Sequence, residues 1–184
     1  MQKSNFYVLT GGPGSGKTSV LQELKRRGYI CIPEVARPII KEQISIDGDA
    51  LPWKNREKYS ELMLQHSVRD FIQYQDEDNI CFFDRGIPDT YGYCLLTHQP
   101  VSDVLMSAVK LYRYNPQIFV FPFWKEIYKT DSERKQDTKE AEETFYQLKS
   151  AYESLGYQTC ILPQIPVNQR ADFILEQVRR PFSY

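Results

Sequence analysis

The feature that most limits what this chain can fold into is the run Gly11-Gly12-Pro13-Gly14-Ser15-Gly16-Lys17-Thr18, which fills every defined position of GxxxxGK[ST]. Its surroundings matter as much as the string. Phe6-Tyr7-Val8-Leu9 precede it as an apolar strand, and Val20, Leu21 and Leu24 follow at helical spacing. A strand, a glycine-rich turn and a helix are the parts needed to hold a polyphosphate. The glycines let the backbone turn tightly and aim successive N–H groups at one anion. The helix then offers its free amides and positive dipole end to the same group. Within this cradle Lys17 is expected to reach the β- and γ-phosphate oxygens, the Thr18 hydroxyl to ligate Mg²⁺, and Ser19 to flank it. The loop therefore predicts a nucleoside triphosphate with Mg²⁺ as its ligand.

Five short apolar runs cover residues 6–9, 29–32, 80–83, 118–121 and 157–162. They are rich in β-branched and aromatic residues, and their continuous hydrophobicity predicts strands covered on both faces, as in a parallel sheet. Between them the pattern predicts helices over 17–27, 34–45, 55–75, 90–97, 102–112, 138–155 and 167–180. This alternation is that of an α/β domain with right-handed crossovers. The 184 residues show no repeat, linker or second core, so 1–184 is expected to be a single domain. One segment breaks the pattern: twelve of the nineteen residues in 125–143 are charged. Such a stretch is too polar to pack on the sheet. It is expected to project into solvent, either as a solvated helical hairpin or as a lid over the polyphosphate.

Ligands of open parallel sheets sit beyond the carboxyl ends of the strands. That rule gathers Glu34, Asp84 and Arg85, and the segment after Trp124, at the rim that holds the loop. Asp84 closes Ile80-Cys81-Phe82-Phe83, an apolar strand plus acid, and could hold the Mg²⁺ hydration shell or accept a hydroxyl proton. The alternative is that it pairs with Arg85 or caps the next turn. Arg85 could neutralise phosphate charge or serve a structural ion pair. Glu34 could orient or deprotonate a substrate hydroxyl, or simply favour a helix start. Arg37 could meet an anion or pair with Glu34. Lys125, Arg134 and Lys135 are candidates to close over a transferring phosphoryl group, Arg134 foremost. The turn 163–166 lies at the same edge and could flank a base.

A net charge of −1 without a long basic block gives no reason to propose a nucleic acid or an anionic membrane as partner. No apolar stretch reaches the ~18 residues of a membrane span, and the N-terminus lacks a signal-peptide layout. Cys31, Cys81, Cys94 and Cys160 lie far apart without CxxC spacing and read as free thiols in a reducing, cytoplasmic setting. His66 and His98 have no ligand-spaced partners.

The phosphate loop, PEVAR (33–37), FFDRGIPDT (82–90), DSER (131–134), GYQTCILP (156–163) and VNQRADFI (167–174) together resemble a known group. It is the small AAA-like P-loop NTPases classed with the nicotinamide riboside kinase domain of the bifunctional bacterial NadR protein. The resemblance runs from about Phe6 to Val178. It implies a three-layer P-loop NTPase fold with a five-stranded parallel sheet in order 2-3-1-4-5 and a helical lid. It also implies that Asp84 and Arg85 stand in the Asp-Arg element of related kinases, with Arg134 in the lid. No adenylyltransferase half is recognised in these 184 residues, so a bifunctional role of the NadR kind is not expected. The expectation is an ATP-dependent kinase acting on a small nucleoside-like hydroxyl compound, with Lys17, Asp84, Glu34 and Arg134 catalytic. The alternatives are a nucleotide-dependent switch or slow NTPase that signals to a protein partner, and a binder of nucleotide plus an anionic lipid or metabolite. The guanine-reading [NT]KxD motif is absent, which favours ATP over GTP.

Overall fold

The computed structural model of the chain describes residues 1–127 and 138–180. The elements run β1 (Phe6–Gly11), α1 (Lys17–Arg26), β2 (Ile30–Ile32), α2 (Ala36–Ser45), α3 (Arg56–Gln73), β3 (Cys81–Asp84), α4 (Ile87–Leu96), α5 (Asp103–Leu111), β4 (Gln117–Phe121), α6 (Thr138–Ser154), β5 (Gln158–Ile161) and α7 (Val167–Arg179). The five strands pair in parallel in the order β2-β3-β1-β4-β5, as the resemblance implies. Leu9 stands opposite Asp84, and Gly11 opposite Phe121, so the phosphate loop leaves the sheet beside the carboxyl ends of β3 and β4.

Period-2 alternation divides the strand residues between two cores. Phe6, Val8, Phe83, Ile118 and Val120 face α3 to α6, where Phe71, Val109, Phe145 and Tyr152 cover them. Tyr7, Leu9, Phe82, Phe119 and Phe121 face the opposite way, onto Val20, Leu21 and Leu24 of α1 and Ala171, Ile174 and Leu175 of α7. Both faces are thus covered, which is why the strands read as continuous apolar runs. A smaller cluster of Ile39, Tyr59 and Met63 packs α2 on α3.

Side-chain caps explain several helix starts. Asn55 Oδ1 accepts from the Lys58 amide at 3.1 Å, and Ser102 Oγ from the Leu105 amide at 3.2 Å. Two helix starts depart from the sequence expectation, and part of the expected lid packs instead of projecting. Helix α4 starts at Ile87 rather than at 90, because Pro88 is pre-set for a first turn and Asp89 Oδ2 accepts the Gly86 amide at 2.8 Å. Helix α2 starts at Ala36, so Glu34 precedes the helix rather than opening it. Finally, 138–143 are the first turns of α6, and Ala141 is fully buried rather than projecting into solvent. Its small side chain lies on one stripe with Phe145, Leu148 and Tyr152, so the charged residues around it turn outward. The rest of the expected lid, 128–137 with Arg134 and Lys135, lies outside the described residues. Among the described residues no helix is long and apolar enough to cross a membrane.

Candidate functional site

The loop folds as its composition requires. Gly16 adopts φ 84°, and a Cβ there would lie 2.8 Å from Arg170 Nη1 and 3.1 Å from Ile127 Cδ1. A Cβ on Gly12 would lie 2.6 Å from the Ala141 carbonyl oxygen. The loop is therefore clasped from both sides, by α7 at Gly16 and by α6 at Gly12. Ser15 Oγ donates to the Gly12 carbonyl at 2.9 Å, drawing the turn closed. Pro13 and Gly14 form its half-buried crest, and Thr18 and Ser19 present exposed hydroxyls on the first turn of α1. The Lys17 ammonium turns back to the carbonyls of Gly11 and Gly12 at 3.0 and 2.9 Å. Phosphate oxygens would compete with those carbonyls for the same three N–H donors.

Around Lys17 the strand ends assemble a charged cluster. Burial lowers the Lys17 pKa to about 8, with Arg85 pushing the same way and Asp84, Glu34 and Asp89 opposing. Asp84 is only 6% exposed, and burial raises its carboxyl to about 6 despite the nearby Lys17. Its Oδ1 is buried without a hydrogen-bond partner among the described residues. Among the described residues its carboxylate makes no ion pair with Arg85; the guanidinium instead bridges Asp89 Oδ1 at 3.0 Å and Glu34 Oε2 at 3.5 Å. Arg37 Nε lies 3.3 Å from Glu34 Oε1. Burial would raise the Glu34 pKa, but Arg85, Lys17 and Arg37 outweigh it and hold the carboxyl below its usual range. Arg85 takes φ 72°, a left-handed backbone that costs a non-glycine residue about 1–2 kcal/mol. The two carboxylates on its guanidinium and the Arg85 amide bond to the Leu9 carbonyl, 3.0 Å, hold it there.

Two residues of the cluster have no role in the sequence reading. Asp89 is buried and accepts four bonds: Thr10 Oγ1 at 2.5 Å, Tyr152 OH at 2.6 Å, the Gly86 amide at 2.8 Å and Arg85 Nη1 at 3.0 Å. It thereby ties the end of β1, the turn after β3 and α6 to the guanidinium. Its signal in the sequence is an acid directly after Pro88, in a helix first turn. Arg170 is the other. It sits among Ala171, Ile174 and Leu175 on the buried stripe of α7, and a charge at a core position of an amphipathic helix is the signal it leaves. The turn after β5 lies where expected, since Gln164 Nε2 donates to the Phe123 carbonyl at 2.8 Å, beyond β4.

Whether the residues fit Mg²⁺ can be judged from the donors present. Asp84 offers an unpartnered buried carboxylate oxygen and Thr18 an exposed hydroxyl. Such a sparse oxygen set suits an ion that keeps waters and shares phosphate oxygens.

A parallel sheet of this order, with this loop between β1 and α1, defines a P-loop NTPase. The profile of the family described as AAA domain matches residues 6–170, and the chain belongs to that family. No match was found among curated proteins. Among solved structures the chain is similar to a deoxyadenosine kinase from M. mycoides with dCMP and dCDP bound (TM-score 0.62, 11% identity, 94% of this chain and 97% of that one). It is also similar to thymidylate kinases from Candida albicans (TM-score 0.63, 13% identity, covering 94% and 90%) and Ehrlichia chaffeensis (0.57, 14%, 96% and 99%). At such identities the likeness establishes the fold, that of the nucleoside and nucleotide kinases.

Proposed function

We propose that the chain is an ATP- and Mg²⁺-dependent kinase that phosphorylates a hydroxyl of a small nucleoside-like compound. One observation carries this: Lys17, the orphaned Asp84 carboxylate and the Glu34–Arg85–Asp89 relay converge at the edge where the phosphate loop opens. The sheet order divides their work. Asp84 ends the strand beside β1 and so stands on the phosphate side, whereas Glu34 lies beyond β2, one strand further out, on the acceptor side. Mg²⁺, held by Thr18 and Asp84, would supply charge neutralisation across the β- and γ-phosphates. Lys17 adds a positive charge to the γ-phosphoryl group. The acceptor oxygen bonds to the γ-phosphorus as the bridging P–O bond breaks, and ADP leaves. Glu34, ionised at neutral pH, orients the acceptor hydroxyl, and its proton passes to Glu34 or Asp84. Two of the three Arg85 guanidinium nitrogens, Nε and Nη1, face carboxylates, which favours an uncharged acceptor over a monophosphate. The resemblance to the nicotinamide riboside kinase domain of NadR points to the same substrate class, and the four free thiols suit a cytoplasmic setting. In this reading the lid of the expected 125–143 segment is what precedes α6, with Arg134, outside the described residues, its closing cation. The flanks of 128–137, Ile127 and Ala141, both pack on the phosphate loop, which supports that placement.

A nucleotide switch or slow NTPase is the second reading. A cavity of about 650 Å³ lies between α3 and the α4–α5 junction, lined by Trp53, Arg56, Ser60 and Cys94 among others, but by none of Lys17, Glu34, Asp84 or Arg85. Phosphotransfer from ATP to a panel of nucleosides with Mg²⁺ separates the two readings. A kinase yields a phosphorylated nucleoside well above hydrolysis. ATP loss that ignores every added hydroxyl compound would remove the kinase reading.

A further inference from the structure

Among the described residues no carboxylate balances the charge of Arg170. The residue is 3% exposed, and among the described residues no carboxylate lies within ion-pair distance of it. Its Nε has no hydrogen-bond partner among the described residues. Burial lowers its pKa, with no neighbouring charge opposing. Buried guanidinium groups are ordinarily paired, because an isolated one is costly to desolvate. This one is flanked by rings instead, 5.2 Å from the centroid of Trp124 and 5.8 Å from that of Phe121. Its one hydrogen bond runs from Nη1 to the Ser15 carbonyl at 3.1 Å, in the middle of the phosphate loop. The absence of a side chain on Gly16 lets it come that close.

We propose that Arg170 is a positioning residue for the triphosphate, acting through the Ser15–Gly16 peptide, with the polyphosphate as its missing counter-charge. A trans peptide points its C=O and N–H in opposite directions. A guanidinium that holds the Ser15 carbonyl on the α7 side therefore turns the Gly16 N–H the other way, into the cradle. The charge on the carbonyl also polarises that amide and makes it a stronger donor to an anion. A single peptide plane is thus fixed from α7, a helix 155 positions along the chain, at a point where the glycine backbone alone would leave it free to rotate. Polyphosphate recognition is then not a property of the loop alone. The inference rests on the proposal that the loop binds a nucleoside triphosphate.

The test compares wild type, R170Q and R170K by calorimetry with ATP, inorganic tripolyphosphate and adenosine, each with Mg²⁺. R170Q keeps a planar donor for the Ser15 carbonyl but removes the charge; R170K keeps the charge without the fork. R170Q is expected to weaken ATP and tripolyphosphate alike by about tenfold, the effect of one charged group, and to leave adenosine unchanged. R170K should stay within about threefold of wild type, since a point charge still reaches the carbonyl. Tripolyphosphate binding to R170Q within twofold of wild type would overturn the proposal. So would a loss seen with ATP alone, which would make Arg170 a platform for the base. Should R170Q fail to fold, R170K decides, and a loss of tenfold or more there overturns it. Wild type that binds neither ATP nor tripolyphosphate would instead sink the nucleotide reading itself.

Discussion

Replacing Asp84 by Asn should stabilise the nucleotide-free protein at neutral pH while disabling it. The magnitude follows from the carboxyl's pKa, raised by burial from 3.8 to about 6. A carboxyl that holds its proton more tightly folded than unfolded contributes most below pH 4. That contribution is lost as pH rises to about 6 and stays lost above it. At about 1.4 kcal/mol per unit, the ionised Asp84 costs the fold about 3 kcal/mol at pH 7. Asn removes the charge, and because Asp84 Oδ1 already lacks a partner, the substitution exchanges one unsatisfied polar group for another. A net gain of about 1–3 kcal/mol remains, or roughly 2–10 °C in Tm for a chain of this size. Thermal melts followed by circular dichroism from pH 4 to pH 7.5, without nucleotide, measure it. The gain should be present at pH 7 and shrink toward zero at pH 4. Adding Mg²⁺ and ATP should reverse the order, because the wild type alone supplies the carboxylate to the metal. Turnover of D84N should fall far more than its ATP affinity. A D84N protein less stable than wild type at pH 7, or a gap that does not depend on pH, would refute the burial argument. Normal turnover would take Asp84 out of the mechanism.

Lys17→Ala should abolish Mg²⁺-dependent triphosphate binding by calorimetry while the far-ultraviolet dichroism stays unchanged. For the wild type, affinity should fall as pH rises through about 8, where the free protein's ammonium begins to lose its proton, and flat affinity from pH 7 to 9 would contradict its burial. Tyr152→Phe deletes one of the four donors to the buried Asp89, and a loss of about 1–2 kcal/mol in urea unfolding is expected, against an unchanged midpoint if the network is slack. Gly12→Ala would set a methyl 2.6 Å from the Ala141 carbonyl and drive α6 off the loop, so triphosphate affinity should drop at least about tenfold. Unaltered binding by G12A would mean that α6 does not brace the cradle.

The fold was legible because its signals are local. Each strand is a continuous apolar run, and each is separated from the next by a helix whose stripe faces the sheet, as Val20, Leu21 and Leu24 do in α1. Pairing order is not local, since nothing in the spacing of β2 and β4 says that β1 lies between β3 and β4. That part came from the resemblance. Helix starts differ from the local pattern where a tertiary interaction, rather than propensity, sets the first turn. Asp89 pulls α4 back to Ile87 by accepting the Gly86 amide, and the Arg85 and Arg37 guanidinium groups hold Glu34 outside α2.

The candidate site divides along the same line. Lys17, Thr18, Asp84 and Arg85 announce themselves by where they fall, either in the loop string or at a strand end. Asp89 and Arg170 do not, because their importance lies in what they touch at a distance of 79 and 155 positions. One contributes a carboxylate with every lone pair engaged, the other a cation with no carboxylate against it among the described residues. The saturated carboxylate can afford no substitution without leaving a donor orphaned, so it fixes geometry. The unmet cation is a cost the free protein carries and a polyphosphate would relieve, so it biases the protein toward the bound state. Rigidity at the turn after β3 and an unpaired charge beside the glycine-rich loop thus come from two residues that, in the proposed kinase, never need to touch the reacting atoms.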